Sequence, residues 1–184
     1  MYLLRHGQSL FNLHFTATRQ DPGIEDPALT ELGCEQAEQA AVWLADKAIT
    51  RVIISPYTRA LQTAEPVLRV HDVPVEIMHE VRERYAFSCD VGRHKNELAA
   101  AFPAHEFSHL PDRWWPDEHE THEATLARAA AFRDVMRERA DAGSTLLVSH
   151  WAFILALSGI SAANGEVIEY DPAAPAPEHI IWRP

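Results

Sequence analysis

Helices on both faces of a largely parallel central sheet, a three-layer α/β/α sandwich, is the fold the sequence predicts, and two observations predict it. Three short apolar runs rich in branched residues, "YLL" at 2–4, "RVII" at 51–54 and "TLLV" at 145–148, read as strands buried on both faces. Each is followed by polar residues and then a helical pattern, the alternation that parallel α/β sheets require. The 184 residues, 47% of them hydrophobic, suffice for one compact domain with a sizeable core, taken as residues 1–184.

The elements follow in order. Thr30 reads as the N-cap of a helix through "ELGCEQAEQAAVWLADK", with Leu32, Ala37, Ala40, Leu44 and Ala48 at helical spacing. "SPYTRALQTAEPVL" predicts the next helix, with Ser55 as N-cap, Pro56 at the first position, and Ala60, Leu61 and Ala64 inward. Pro66 is expected to bend or shorten it. "VEIMH" at 75–79 predicts a strand, and "THEATLARAAAFRDVMRERADAG" at 121–143 a long helix between Thr121 as cap and Gly143 as stop. "WAFILALSG" predicts the last helix, and 166–169 and 179–182 closing strands around the loop "DPAAPAPE". Residues 85–120 are the least regular stretch and are expected to act as a lid or specificity region.

Composition excludes several classes. No run approaches the roughly eighteen apolar residues of a bilayer span, and residues 1–20 carry no basic-then-apolar leader, so no membrane association is expected. Two cysteines, Cys34 and Cys89, give neither a disulfide framework nor a zinc spacing, which fits a cytoplasmic location. A formal charge of −11 opposes binding to nucleic acid or anionic lipid. An anionic ligand must then be caught by a local basic pocket.

Such a pocket is implied by the sheet. Parallel strands end on one edge, where open α/β folds bind ligands. Just past the three strand ends come Arg5 and His6, then Ser55 to Arg59, then Ser149 and His150. Helices beginning near 56 and 151 are expected to aim their N–H groups at the same crevice. Two arginines suit a dianionic phosphoryl group, one neutral imidazole can attack phosphorus, and the other can donate to its oxygens. This chemistry calls for no metal or cofactor. A leaving alkoxide needs a proton, and the loop "EVRERYAF" offers Glu80 or Glu83.

These segments together resemble the histidine phosphatase superfamily, the phosphoglycerate mutase-like proteins. "LLRHGQSLFN" is similar to its RHGxSxxN signature, "DPALTELGCEQA" to its Leu-Thr-x-x-Gly-x-x-Gln-Ala helix start, and "SPYTRALQTA" to its SPxxRAxQTA segment. "VRER" matches its acid-loop glutamate and "TLLVSHWAF" its second histidine segment, all in family order over residues 3–153. The resemblance implies a phosphoglycerate mutase-like fold, phosphorylation of His6 during turnover, phosphoryl contacts from Arg5, Arg59 and His150, and Glu83 as proton donor. It also implies phosphate contacts from Asn12 and Ser9. The chain departs from the pattern at Trp151, where the family often has glycine, which puts an indole at the pocket wall or in the core. It departs again in "ERYAFSCDVG", which lacks the usual Gly and Trp.

Other readings compete for some residues. "HEFSH" at 105–109 fits H-E-x-x-H, but Pro103 and Pro111 bracket it and leave room for about two helical turns at most. His119 and His122 lack a third ligand and read as surface residues, with His122 near the substrate pocket as the alternative. Trp114 and Trp115 read as core packing or substrate contacts.

The expected protein is a metal-independent phosphoric monoester hydrolase of the histidine acid phosphatase type, acting on a small phosphate ester. The alternatives are phosphoryl transfer of the phosphoglycerate mutase kind, disfavoured by the shortness of the chain, and a non-catalytic phosphate-binding domain. The pattern is silent on the physiological substrate and on assembly, for which a homodimer is the default.

Overall fold

The computed structural model describes residues 1–182. The branched runs form β1 (Tyr2–Arg5), β2 (Arg51–Ile54) and β4 (Thr145–Ser149), joined by β3 (Val75–Ile77) and β5 (Val167–Glu169) in the order β3-β2-β4-β1-β5. Four strands are parallel, and β5 alone runs antiparallel, against β1. Leu4, Val148, Ile54 and Ile77 align across the sheet. The residues one step later, Arg5, Ser149 and Ser55, therefore emerge together at its C-terminal edge.

Alternation along the strands builds the two faces. Leu4, Val52, Ile54, Leu146 and Val148 pack against α2 (Glu31–Leu44) and α3 (Thr58–Val70). Leu3, Ile53 and Leu147 pack against α5 (His122–Arg137) and α6 (Trp151–Ser158). The sandwich has the three layers expected. In α6 only Ser158 escapes full burial, as a helix apolar on all sides requires. Among the described residues no helix is long and apolar enough to cross a membrane.

Thr30 and Thr121 cap as expected, accepting from the N–H groups of Gly33 and Ala124 at 3.0 and 3.1 Å. Several boundaries differ. Helix α2 stops at Leu44, and Leu32 and Ala48 are exposed, because the buried face is set by Gly33, Ala37, Ala40 and Leu44. The 75–79 strand ends at Ile77, and His79–Val81 coil into a 3-10 turn. Helix α5 ends at Arg137, short of Gly143, which lies in a separate turn. Helix α3 runs through Pro66 to Val70, the ring being buried.

Residues 179–182 form no strand. Ile180 and Trp182 instead pack on α6. An additional helix, α1 (Leu10–Thr18), follows β1, and α4 (Lys95–Ala101) lies within the irregular stretch. That stretch folds mostly inward: Leu98, Phe107, Leu110, Trp114 and Trp115 join the core beside α3. Both tryptophans are thus core packing rather than pocket walls.

Candidate active site

The chain leaves β1 under tight constraint. Gly7 and Gly33 bring the loop and the start of α2 into backbone contact, and a Cβ at Gly33 would overlap the Gln8 carbonyl. Ser9 then caps α1. Its hydroxyl and its own N–H both donate to Asn12 Oδ1 at 3.0 Å, while Asn12 N–H returns to Ser9 Oγ at 3.2 Å. The hydroxyl hydrogen of Ser9 is thereby committed to Asn12. Asn164 adds a third donor to Asn12 Oδ1 at 3.2 Å. Asn12 keeps its amide hydrogens as donors to the pocket.

His6, 3% exposed, sits at the floor of this loop. Its Nδ1 is 2.7 Å from the Gly7 carbonyl, which can only accept, so the ring hydrogen resides on Nδ1 and Nε2 keeps its lone pair. Burial first, then Arg59 and Arg5, hold the imidazole well below the usual histidine range. A neutral ring with a free nitrogen is the nucleophilic form.

The flanking cations are fixed differently. Arg5 donates to the Ala162 carbonyl at 2.7 Å, and desolvation lowers it to about 10, still charged at neutral pH. Arg59 is fully buried, donating to the Cys89 carbonyl at 2.7 Å and to Asp90 at 3.3 Å, with its guanidinium 4.2 Å over Tyr57. Asp90 is oriented by the N–H groups of Ala86 and Phe87, both at 3.0 Å. Sequence reasoning missed Asp90 because an aspartate in an irregular loop carries no local signature of its partner.

The geometry separates the two candidate acids. Glu80 is half exposed beside His79, whereas Glu83 lines the cavity with its carboxyl against the Arg84 and Ala152 N–H groups at 2.8 and 3.0 Å. Burial, reinforced by Asp90, raises the Glu83 carboxyl above the usual range. Arg128, also missed, ties this loop down by donating to the carbonyls of Glu80 and Arg82 at 2.7 and 2.8 Å.

His150 is fully buried behind His6, with ring centroids 5.1 Å apart. Its Nε2 shares a 2.7 Å hydrogen bond with Ser55 Oγ, and its buried Nδ1 has no partner among the described residues. This corrects the expectation for Ser55: helix α3 begins at Thr58 after Tyr57, and Ser55 and Pro56 lie before it. The distant Asp26 takes the cap, accepting from the Thr58 N–H at 2.9 Å. At the N-termini of α3 and α6 the Thr58 and Ala152 N–H groups accordingly go to the carboxylates of Asp26 and Glu83, while Ala152 still lines the cavity.

Trp151 is buried, lines the cavity, and bonds Ser161 through its indole N–H at 2.9 Å. His122 stacks on Trp182, another cavity residue, at 4.2 Å. Residues 105–109 are not helical, and His109 Nε2 donates to the Ile77 carbonyl at 2.7 Å, which removes the zinc-protease geometry. Of the irregular stretch, only Ala86–Asp90 reaches the cavity, which measures about 220 Å³, roughly fifteen times what one water needs.

Fold and site together suit an α/β protein that handles phosphoryl groups at the sheet edge. Comparison with known proteins makes the class specific. The family model of the histidine phosphatase superfamily (branch 1) matches residues 1–171, and the chain belongs to that superfamily. It is 39% identical over 83 residues to "Probable phosphoglycerate mutase GpmB" of Erwinia tasmaniensis, and 40% over 65 residues to the protein of that name from Yersinia pestis. These matches cover 45% and 35% of the chain, which spans only 37% and 28% of those relatives' length. Among solved structures, a proposed alpha-ribazole-5'-P phosphatase from Escherichia coli superposes with a TM-score of 0.61 at 26% identity, covering 85% of this chain and 76% of that one. Bacillus stearothermophilus YhfR gives 0.58 at 26%, with the same coverage.

Proposed function

We propose that this protein hydrolyses phosphate monoesters through a phosphohistidine on His6. The observation that carries the reading is the neutral His6 imidazole, locked through Nδ1 with Nε2 free, lining one cavity with buried Arg59, half-buried Arg5 and a Glu83 carboxyl raised above its usual range. Arg5, Arg59 and the Asn12 amide bind the phosphoryl oxygens, and the unpaired Nδ1 of His150 adds a donor. His6 Nε2 attacks phosphorus, the P–O bond to the alcohol breaks, and Glu83 protonates the departing oxygen. Glu83, now a carboxylate, takes a proton from water as that water attacks the phosphohistidine; the P–N bond breaks and phosphate leaves. None of these steps draws on a metal or cofactor.

Hydrolysis of p-nitrophenyl phosphate that persists in EDTA and disappears in His6→Ala is expected; loss of activity on chelation would overturn the reading. The likeness to proteins named as probable phosphoglycerate mutases supports a second reading, return of the phosphoryl group to a bound intermediate. Following 3-phosphoglycerate by NMR separates the two, since a mutase yields 2-phosphoglycerate and a phosphatase yields glycerate and phosphate. A non-catalytic binding domain would leave no acid-labile phosphate on His6 after rapid quenching.

A further inference from the structure

Several polar groups lining the cavity are already engaged by the protein. Asp90 holds Arg59, Ser9 is bound to Asn12, and Glu83 accepts from two backbone N–H groups. Arg84 sends Nη1 to the Glu120 carbonyl at 3.4 Å, and its buried Nε has no partner among the described residues. Apart from Ala86, Cys89 and Ala152, the rest of the lining is aromatic. Phe11 and Phe15, four residues apart on α1, stack at 5.3 Å and 15°, and Phe87 tilts onto both at 5.6 and 5.1 Å. Trp151 and Trp182 meet edge to face at 6.4 Å, Trp182 held by its stack on His122. The Trp151 N–H, the natural hydrogen-bonding handle there, is spent on Ser161.

A polyhydroxylated or carboxylated leaving group would lose its water here and find few partners. A ring would meet faces and edges of its own kind. We infer that the site selects phosphate monoesters whose alcohol carries an aromatic ring, over glycerol- and glycerate-type esters. The inference rests on the phosphomonoesterase reading and specifies its substrate class.

The test compares 2-phenylethyl phosphate with propyl phosphate, glycerol 3-phosphate and 3-phosphoglycerate, all esters of aliphatic alcohols, so that kcat/KM reports the substituent rather than leaving-group acidity. The phenyl ester is expected to lead by about 10- to 100-fold. Phe15→Ala and Phe87→Ala, which remove ring contacts, are expected to cut that lead below about threefold. Equal values in the unmodified protein, or a lead for either of the last two esters, would overturn the inference. Calorimetry with 3-phenylpropylphosphonate and butylphosphonate reads the same preference without turnover. Tighter phenyl binding in a protein that never cleaves p-nitrophenyl phosphate removes the hydrolase reading and upholds ring selection. Cleavage with no ring preference, or binding of neither phosphonate, overturns ring selection.

Discussion

Ser55 Oγ and His150 Nε2 lie 2.7 Å apart, joining the ends of β2 and β4 through one hydrogen bond between fully buried side chains. That bond fixes the imidazole plane and leaves Nδ1 as the unpaired nitrogen. Ser55→Ala removes it without touching the pocket lining. Phosphate affinity and kcat/KM for p-nitrophenyl phosphate should both fall about 3- to 10-fold, the scale of one neutral hydrogen bond. Unchanged affinity for inorganic phosphate in calorimetry would show that His150 needs no such orientation.

Glu83→Gln keeps the shape of the acid and removes its proton. Turnover of alkyl esters should drop by about 10² to 10⁴. With p-nitrophenyl phosphate, whose leaving group needs no protonation, dephosphorylation becomes limiting. Quenched-flow measurements should then show a burst of nitrophenol and a build-up of phosphohistidine.

The pH profile follows from two shifts of opposite sense. His6 is held below the ordinary imidazole range, so nucleophile is lost only as pH falls through that depressed value. Glu83 is raised, so the acid survives above the usual carboxylate range and is lost as pH rises through its own value. The kcat/KM profile should be bell-shaped, and Glu83→Gln should abolish its alkaline limb for alkyl esters.

Asp90 acts on both partners at once. Its charge raises Glu83 and its carboxylate holds Arg59. In Asp90→Asn the alkaline limb should move to lower pH, and KM should rise about 10-fold as the guanidinium loses a charge-assisted partner. A KM change with an unmoved pH limb would mean that Asp90 serves Arg59 alone.

Gly33→Ala tests the junction that sets the His6 loop. The added methyl meets the Gln8 carbonyl, a backbone atom that cannot swing aside. Thermal unfolding should register a loss of about 1–3 kcal/mol, with kcat reduced as the loop shifts.

The buried strands, the Thr30 and Thr121 caps, and the Arg5, His6, Arg59 and His150 gathering were legible because each depends on local pattern plus one rule, that parallel strands end together. The misreadings share a cause. Ser55 before Pro56 looks like a helix cap, yet Asp26, 32 residues before Thr58, supplies the cap and frees Ser55 for His150. "HIIW" alternates like a strand, but it packs on α6 instead of pairing. Local pattern left Glu80 and Glu83 open and only the resemblance pointed to Glu83; in the fold the Ala152 N–H donates to Glu83.

Strand composition and motif order were enough to define the layers, the edge that carries the site, and the superfamily. Tertiary packing alone decided which carboxyl lines the cavity, which tautomer His6 adopts, and that Asp90, Phe87 and Trp182 close on that cavity. Those features are differences in desolvation and partner distance, and a buried group's chemistry is set by neighbours that the chain brings together only when it folds.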